Sequence, residues 1–186
     1  MSVMTKKRAL IFAFSIILTL TAFVGTTVAF LVARAGPLEN VFTIGEVEIS
    51  LTETTGGDYS MIPGTAINKD PKITVKGGSE DAWLFVTVSK SQGFDDYLSF
   101  TLDDSWTLLP GYSGVYYQSV PKSNGDREIY VLKNNEVLVS STLTEEKMSG
   151  IEVTPTLTFK AYAIQSYGIE TATDGWKQLL EEGAER

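Results

Sequence analysis

"EVEISLTE", residues 46–53, alternates polar and apolar side chains without a break over eight positions. Successive side chains of a strand point to opposite faces, so Val47, Ile49 and Leu51 are expected against a core, with the polar residues between them facing solvent. The Gly56-Gly57-Asp58 cluster stops the strand, because glycine and aspartate favour turns.

The same period continues outward along the chain. Pro71 to Lys76 is a second alternating strand, ended by Gly77-Gly78. "AWLFVTV", residues 82–88, is apolar on both faces and predicts a central strand covered on both sides. It is also uncharged, proline-free and β-prone, the composition of a steric zipper, although a buried central strand is the expectation. Shorter runs follow at residues 97–102, 106–109 and 115–120. Residues 128–133 and 136–140 flank Asn134-Asn135, a pair that tolerates positive φ and suits a tight hairpin. Ile151 to Gln165 is the last long strand. Many short strands, with turn residues and no crossover helices between them, define an all-β chain and predict a sandwich over residues 46–186. A short C-terminal helix is expected at 171–182, where Thr171 and Asp174 fit a capping box, Trp176, Leu179 and Leu180 share a face, and Gly183 ends it.

Composition narrows the function. The chain has 186 residues, 43% hydrophobic and 20% charged, enough for one folded domain. Its formal charge of −8 includes Lys6, Lys7 and Arg8, which precede every acidic residue; without residues 1–29 it is −11. Such a surface repels nucleic acid, which requires clustered Lys or Arg. There is no cysteine, so no disulfide or thiolate metal site forms. There is no histidine, which removes Ser-His-Asp and Cys-His catalysis, His-ligated zinc and imidazole acid–base chemistry. Neither a cofactor nor a metal is expected, nor an enzyme.

Between Arg8 and Arg34 lie 25 uncharged residues, roughly 37 Å as a helix. The basic cluster before them predicts an inside N-terminus, an outside C-terminus and recognition by the export machinery. Thr27-Val28-Ala29 places small residues where a signal peptidase reads, so residues 1–29 are expected to be a signal peptide cut between Ala29 and Phe30. Ala33-Arg34-Ala35 is a competing site, and an uncleaved membrane anchor is the alternative.

The order Lys6-Lys7-Arg8, long apolar run, Thr27 to Leu31, then Asn40-Val41-Phe42-Thr43-Ile44-Gly45-Glu46-Val47 resembles the TasA/camelysin family, exported proteins of spore-forming Gram-positive bacteria processed by an ER-type signal peptidase. Pro63-Gly64-Thr65 through Lys69-Asp70-Pro71, then Gly77-Gly78-Ser79 and Ala82 to Val86, are similar to the family's next strand pair, and Ala161 to Gln165 to its final core strand. The resemblance covers about half the chain; residues 92–146 match nothing. It implies a jelly-roll-like antiparallel β-sandwich and a secreted, extracellular or cell-surface location. It also implies a biofilm-matrix fibre in which one subunit's N-terminal segment completes the next subunit's sheet, with other matrix or cell-surface proteins as further partners. Such pairing satisfies a row of backbone donors and acceptors, and a head-to-tail contact that does not close makes filaments. Here the extended segment 30–45 would be the donor, with Phe30, Leu31, Val32, Leu38, Val41, Phe42 and Ile44 as assembly residues; a flexible leader is the alternative, since Gly36-Pro37 interrupts it. The metalloprotease activity described for camelysins does not carry over, because no HExxH motif and no zinc-ligating histidine occur.

Other constellations are weaker. Ser119-Val120-Pro121-Lys122 has the Ser-x-x-Lys spacing, but Pro121 opposes the helical turn that chemistry needs. Asp95-Asp96 and Asp103-Asp104 lack the graded spacing of a calcium loop and read as solvated turns. A secreted carboxylate-only hydrolase would have to use Asp103 and Asp104, or Glu145 and Glu146. Trp106, Tyr112, Tyr116 and Tyr117 form either an exposed aromatic patch for glycan or protein, or core. The expectation is a secreted structural subunit or accessory of a matrix fibre, with a membrane-tethered binding or adhesion module as the alternative.

Overall fold

A computed structural model describes residues 43–44, 47–55, 59–149, 151 and 154–184. In chain order these form β1 (Thr43–Ile44), β2 (Ile49–Thr52), β3 (Ala66–Asn68), β4 (Lys72–Val75), β5 (Ala82–Lys90), α1 (Phe94–Tyr97), β6 (Leu98–Ser99), β7 (Thr107–Leu108) and β8 (Val115–Val120). Then come β9 (Arg127–Tyr130), a 3₁₀ turn (Lys133–Asn135), β10 (Glu136–Val139), α2 (Glu145–Ser149), β11 (Leu157–Gln165) and α3 (Ala172–Glu181).

The strands make a five-stranded sheet in the order β1-β11-β5-β8-β7 and two three-stranded sheets, β3-β10-β6 and β2-β4-β9. All pairings are antiparallel except β1 on β11. Beyond the ends of β6 and β9, Leu102 and Leu132 form an isolated antiparallel bridge, and the Asp103 N–H donates to the Val131 carbonyl at 3.0 Å. The chain is all-β with a short C-terminal helix, as its alternation predicts.

β5 lies between β11 and β8, and its alternating side chains serve two cores. Leu84 and Val86, with Phe159, Ala161 and Ala163 of β11, pack against Val47, Ile49, Leu51, Ile73 and Val75 beside and within β2 and β4. Val137, Val139 and Leu98 of the other small sheet close the same core. Phe85, with Tyr162 and Ile164, faces the opposite way and receives α3 through Trp176, Leu179 and Ala172. A strand apolar on both faces therefore becomes a wall covered on both sides.

α3 begins where Thr171 Oγ1 accepts the Asp174 N–H, with Thr171 in extended geometry as an N-cap. Gly175 lets the helix approach closely: a Cβ there would stand 3.2 Å from Ile164 Cγ2 and 3.5 Å from Phe85 Cζ.

Two expectations are corrected. Asn134 and Asn135 do have positive φ, 58° and 56°, yet they make no hairpin. β9 pairs with β4 while β10 pairs with β3 and β6, so the turn carries the chain between sheets. Val131 and Leu132, consecutive and both buried, mark the crossing. The last strand begins at Leu157, not Ile151; Ile151 is outside any strand, and residues 152–153 fall outside the described set.

Candidate functional site

Of the residues expected to be cut or to drive assembly, Ala29, Phe30, Leu31, Val32, Leu38, Val41 and Phe42 lie outside the described residues. Ile44 lies in β1, where Thr43 and Ile44 pair in parallel with Ala163 and Ile164 of the same chain. The end of the expected donor segment thus lies on the edge of its own five-stranded sheet.

The geometry of that edge follows from two flanking bonds. Ser166 N–H donates to the Asp81 carbonyl at 2.8 Å, and Ser91 N–H donates to the Thr156 carbonyl at 3.0 Å. In an antiparallel ladder the bonded pairs alternate, so even-numbered residues of β11 turn their peptide groups to β5 and odd-numbered ones turn theirs away. Among the described residues, β1 occupies this outer side only at residues 163–164. Among the described residues no strand takes the outward groups of Leu157, Phe159 and Ala161. That stretch is ~13 Å long at the rise of an extended chain, and a row of outward donors and acceptors is what an added strand recognises.

Elsewhere the sequence candidates separate. Asp95 is exposed and pairs with Lys90 at 2.6 Å, and Asp104 takes Lys133 through both oxygens at 2.9 and 3.0 Å. The Asp103 carboxyl accepts the Ser105 N–H at 3.0 Å, and that bond holds it below the usual carboxylate range. Asp95, Asp103 and Asp104 border one open groove of about 580 Å³, each committed to its own partner. Among the described residues no three acidic side chains converge as metal ligands would. Ser119 is exposed within β8 and Lys122 reaches Glu80 at 2.5 Å, so no helical turn joins them. Glu146 is exposed in α2.

The four aromatic residues do not form one patch. Trp106 is buried, its Nε1 donating to the Tyr130 carbonyl at 3.0 Å, and Tyr116 packs on the same core. Tyr112 and Tyr117 lie on the other face with Trp176. Residues 116 and 117 are neighbours in a strand and must point apart.

Sequence reasoning missed a polar cluster that fastens the loop after β2. Asp70 accepts the Thr54 and Thr55 N–H groups at 2.9 and 3.1 Å and both threonine hydroxyls. Burial works to raise this carboxyl, and the four donors overcome it and hold it at about 2. Glu53 accepts Lys69 at 2.8 Å and the Tyr59 hydroxyl at 2.6 Å. Burial first, then the bond to Glu53, pushes the Tyr59 phenol up to about 12. The threonine partners of Asp70 lie 15 and 16 residues from it in sequence, so local pattern does not mark the cluster.

These features define an all-β protein of mostly antiparallel sheets in which, among the described residues, the outer side of β11 has no partner strand at Leu157, Phe159 and Ala161. Compared with protein-family models, curated proteins and solved structures, the chain matches none.

Proposed function

We propose that this protein is a secreted structural protein of TasA/camelysin type, a subunit or accessory of an extracellular biofilm-matrix fibre built on a jelly-roll-like sandwich. Residues 1–29 direct export and are removed by signal peptidase, and segment 30–45 passes to the β11 edge of the next subunit. The observation that carries this is the outer side of β11, covered by two residues of β1 and without a described partner strand at Leu157, Phe159 and Ala161. A donor strand laid along Leu157, Phe159 and Ala161 gains backbone bonds that none of the described strands makes there.

The pairing of Thr43–Ile44 with its own β11 favours a second reading. A chain that closes its own edge suits a membrane-tethered cell-surface binding or adhesion module, held by residues 9–33. Among the described residues no helix is long and apolar enough to cross a membrane.

Protein beginning at Phe30 and protein beginning at Gly45 are compared by electron microscopy and sedimentation. Filaments from the first and monomers from the second are expected. Monomers from both, or equal filaments from both, reject strand exchange.

A further inference from the structure

We propose that Asn124-Gly125 is a site of spontaneous deamidation, and that the isoaspartate formed opens the clasp between loop 123–126 and the Gly77-Gly78 turn.

This is the one Asn-Gly pair in the sequence. Both residues are exposed in the connection between β8 and β9, and a Cβ placed on Gly125 would meet nothing within 4 Å. The Gly125 nitrogen is therefore open to approach by the Asn124 side chain, with no side chain of its own in the way. Its N–H donates to Ser123 Oγ at a long 3.3 Å and belongs to no strand ladder. The other asparagines precede Val41, Lys69, Asn135 and Glu136, all bulkier at the attacking residue. Asp174-Gly175, the related Asp-Gly pair, is held in α3: the Gly175 N–H donates to the Thr171 carbonyl at 3.1 Å, and the Asp174 carboxylate takes the Thr171 hydroxyl and Lys177.

The chemistry needs only hydroxide and water. Hydroxide removes the Gly125 amide proton, and the nitrogen attacks Cγ of Asn124. A C–N bond forms and closes a five-membered succinimide; the Cγ–Nδ2 bond breaks, and the amide nitrogen takes a proton from water and leaves as ammonia. Water then opens the ring. Addition at the side-chain carbonyl gives aspartate, and addition at the backbone carbonyl gives isoaspartate, whose main chain runs through the former side chain.

That backbone carbonyl is tightly packed. The Asn124 oxygen lies 2.5 Å from where a Cβ on Gly77 would stand. In the isoaspartate it becomes a free carboxylate, bulkier and charged, against the Gly77 main chain. Around this contact the Gly78 N–H donates to the Ser123 carbonyl at 2.8 Å, the Gly77 N–H donates to Asp126 Oδ1 at 2.9 Å, and Lys76 pairs with Asp126 at 3.0 Å. A new anion two residues from Asp126 competes for the same lysine and repels the same carboxylate.

The full chain is aged at mildly alkaline pH and followed by peptide mass spectrometry with isoaspartate-resolving fragmentation, and by amide hydrogen exchange. The expected result is conversion at position 124 ahead of every other Asn, faster at higher pH, slowed in Gly125→Ala and lost in Asn124→Gln. The isoaspartate form is expected to lose protection at the Gly77 and Gly78 amides while Trp176 and Leu179 keep theirs. Retention of the Asn124 amide in the folded chain, under conditions that convert a synthetic peptide of residues 118–130, overturns the site. Isoaspartate with unchanged Gly77 and Gly78 protection overturns its effect on the clasp.

Discussion

The rings of Trp176 and Phe85 lie 5.2 Å apart at 45°, and this contact fastens α3 to the centre of the five-stranded sheet. Tyr162 and Tyr112 close on the same indole at 5.4 and 6.4 Å, edge-on. Trp176 is fully buried, and its Nε1–H has no hydrogen-bond partner among the described residues.

Replacing this indole by a methyl group empties the space between helix and sheet. Trp176→Ala is expected to destabilise by about 3–5 kcal/mol in chemical denaturation, the usual range for a large aromatic removed from a core. Trp176→Phe keeps much of the ring and deletes an unpaired buried donor, whose desolvation costs about 1–3 kcal/mol, so its loss should be well under half as large. Equal losses in the two variants would contradict this account.

Acid should loosen the loop after β2. The Asp70 carboxyl is held at about 2, below its ordinary 3.8, so its stabilisation is fully present above pH ~4 and is lost as pH falls through the folded value. Asp70→Asn is expected to cost about 1 kcal/mol near neutral pH and to flatten the acid limb of the stability curve between those two values. An unchanged acid limb would remove Asp70 as its origin.

Alkali acts through the neighbouring phenol with the opposite sign. A folded pKa raised to about 12 from 10.0 means that Tyr59 stabilises the fold below pH ~10, and that this is lost as pH rises through 12. Ultraviolet phenolate titration of the protein and of Tyr59→Phe should differ by a tyrosine ionising near pH 12. Glu53→Gln should bring it down, because the negative acceptor is gone.

Gly77 and Gly78 are adjacent but should respond differently to a methyl group. A Cβ on Gly77 meets the Asn124 backbone at 2.5 Å, whereas Gly78 has open space and a φ of 90°. Gly77→Ala should cost about 1–3 kcal/mol through overpacking and reduce amide protection across loop 123–126. Gly78→Ala should cost about 1–2 kcal/mol through backbone conformation alone and leave the loop protected.

How much was legible depends on distance along the chain. Val47, Ile49 and Leu51 were readable because alternation is a local property of a strand, and all three are buried. The capping of α3 by Thr171 was readable for the same reason. The positive φ at Asn134-Asn135 was legible, but not its use: a turn's conformation is local, whereas the partners of β9 and β10 are set by distant strands. The consecutive buried pair Val131-Leu132 was a signal against a hairpin, since two neighbours cannot share one face of a strand. Tyr116 and Tyr117 carried the same warning about the aromatic patch. The Glu53–Lys69 pair and the two-residue parallel contact of β1 left no local trace.

The Leu84–Phe85 step joins two chambers across a single party wall. Stripping the C-terminal helix bares one side of that wall, and unzipping the small sheets bares the other, so neither chamber can empty while its neighbour stays intact. Heating should therefore produce one calorimetric peak rather than a staircase, with the helix and the small sheets melting together.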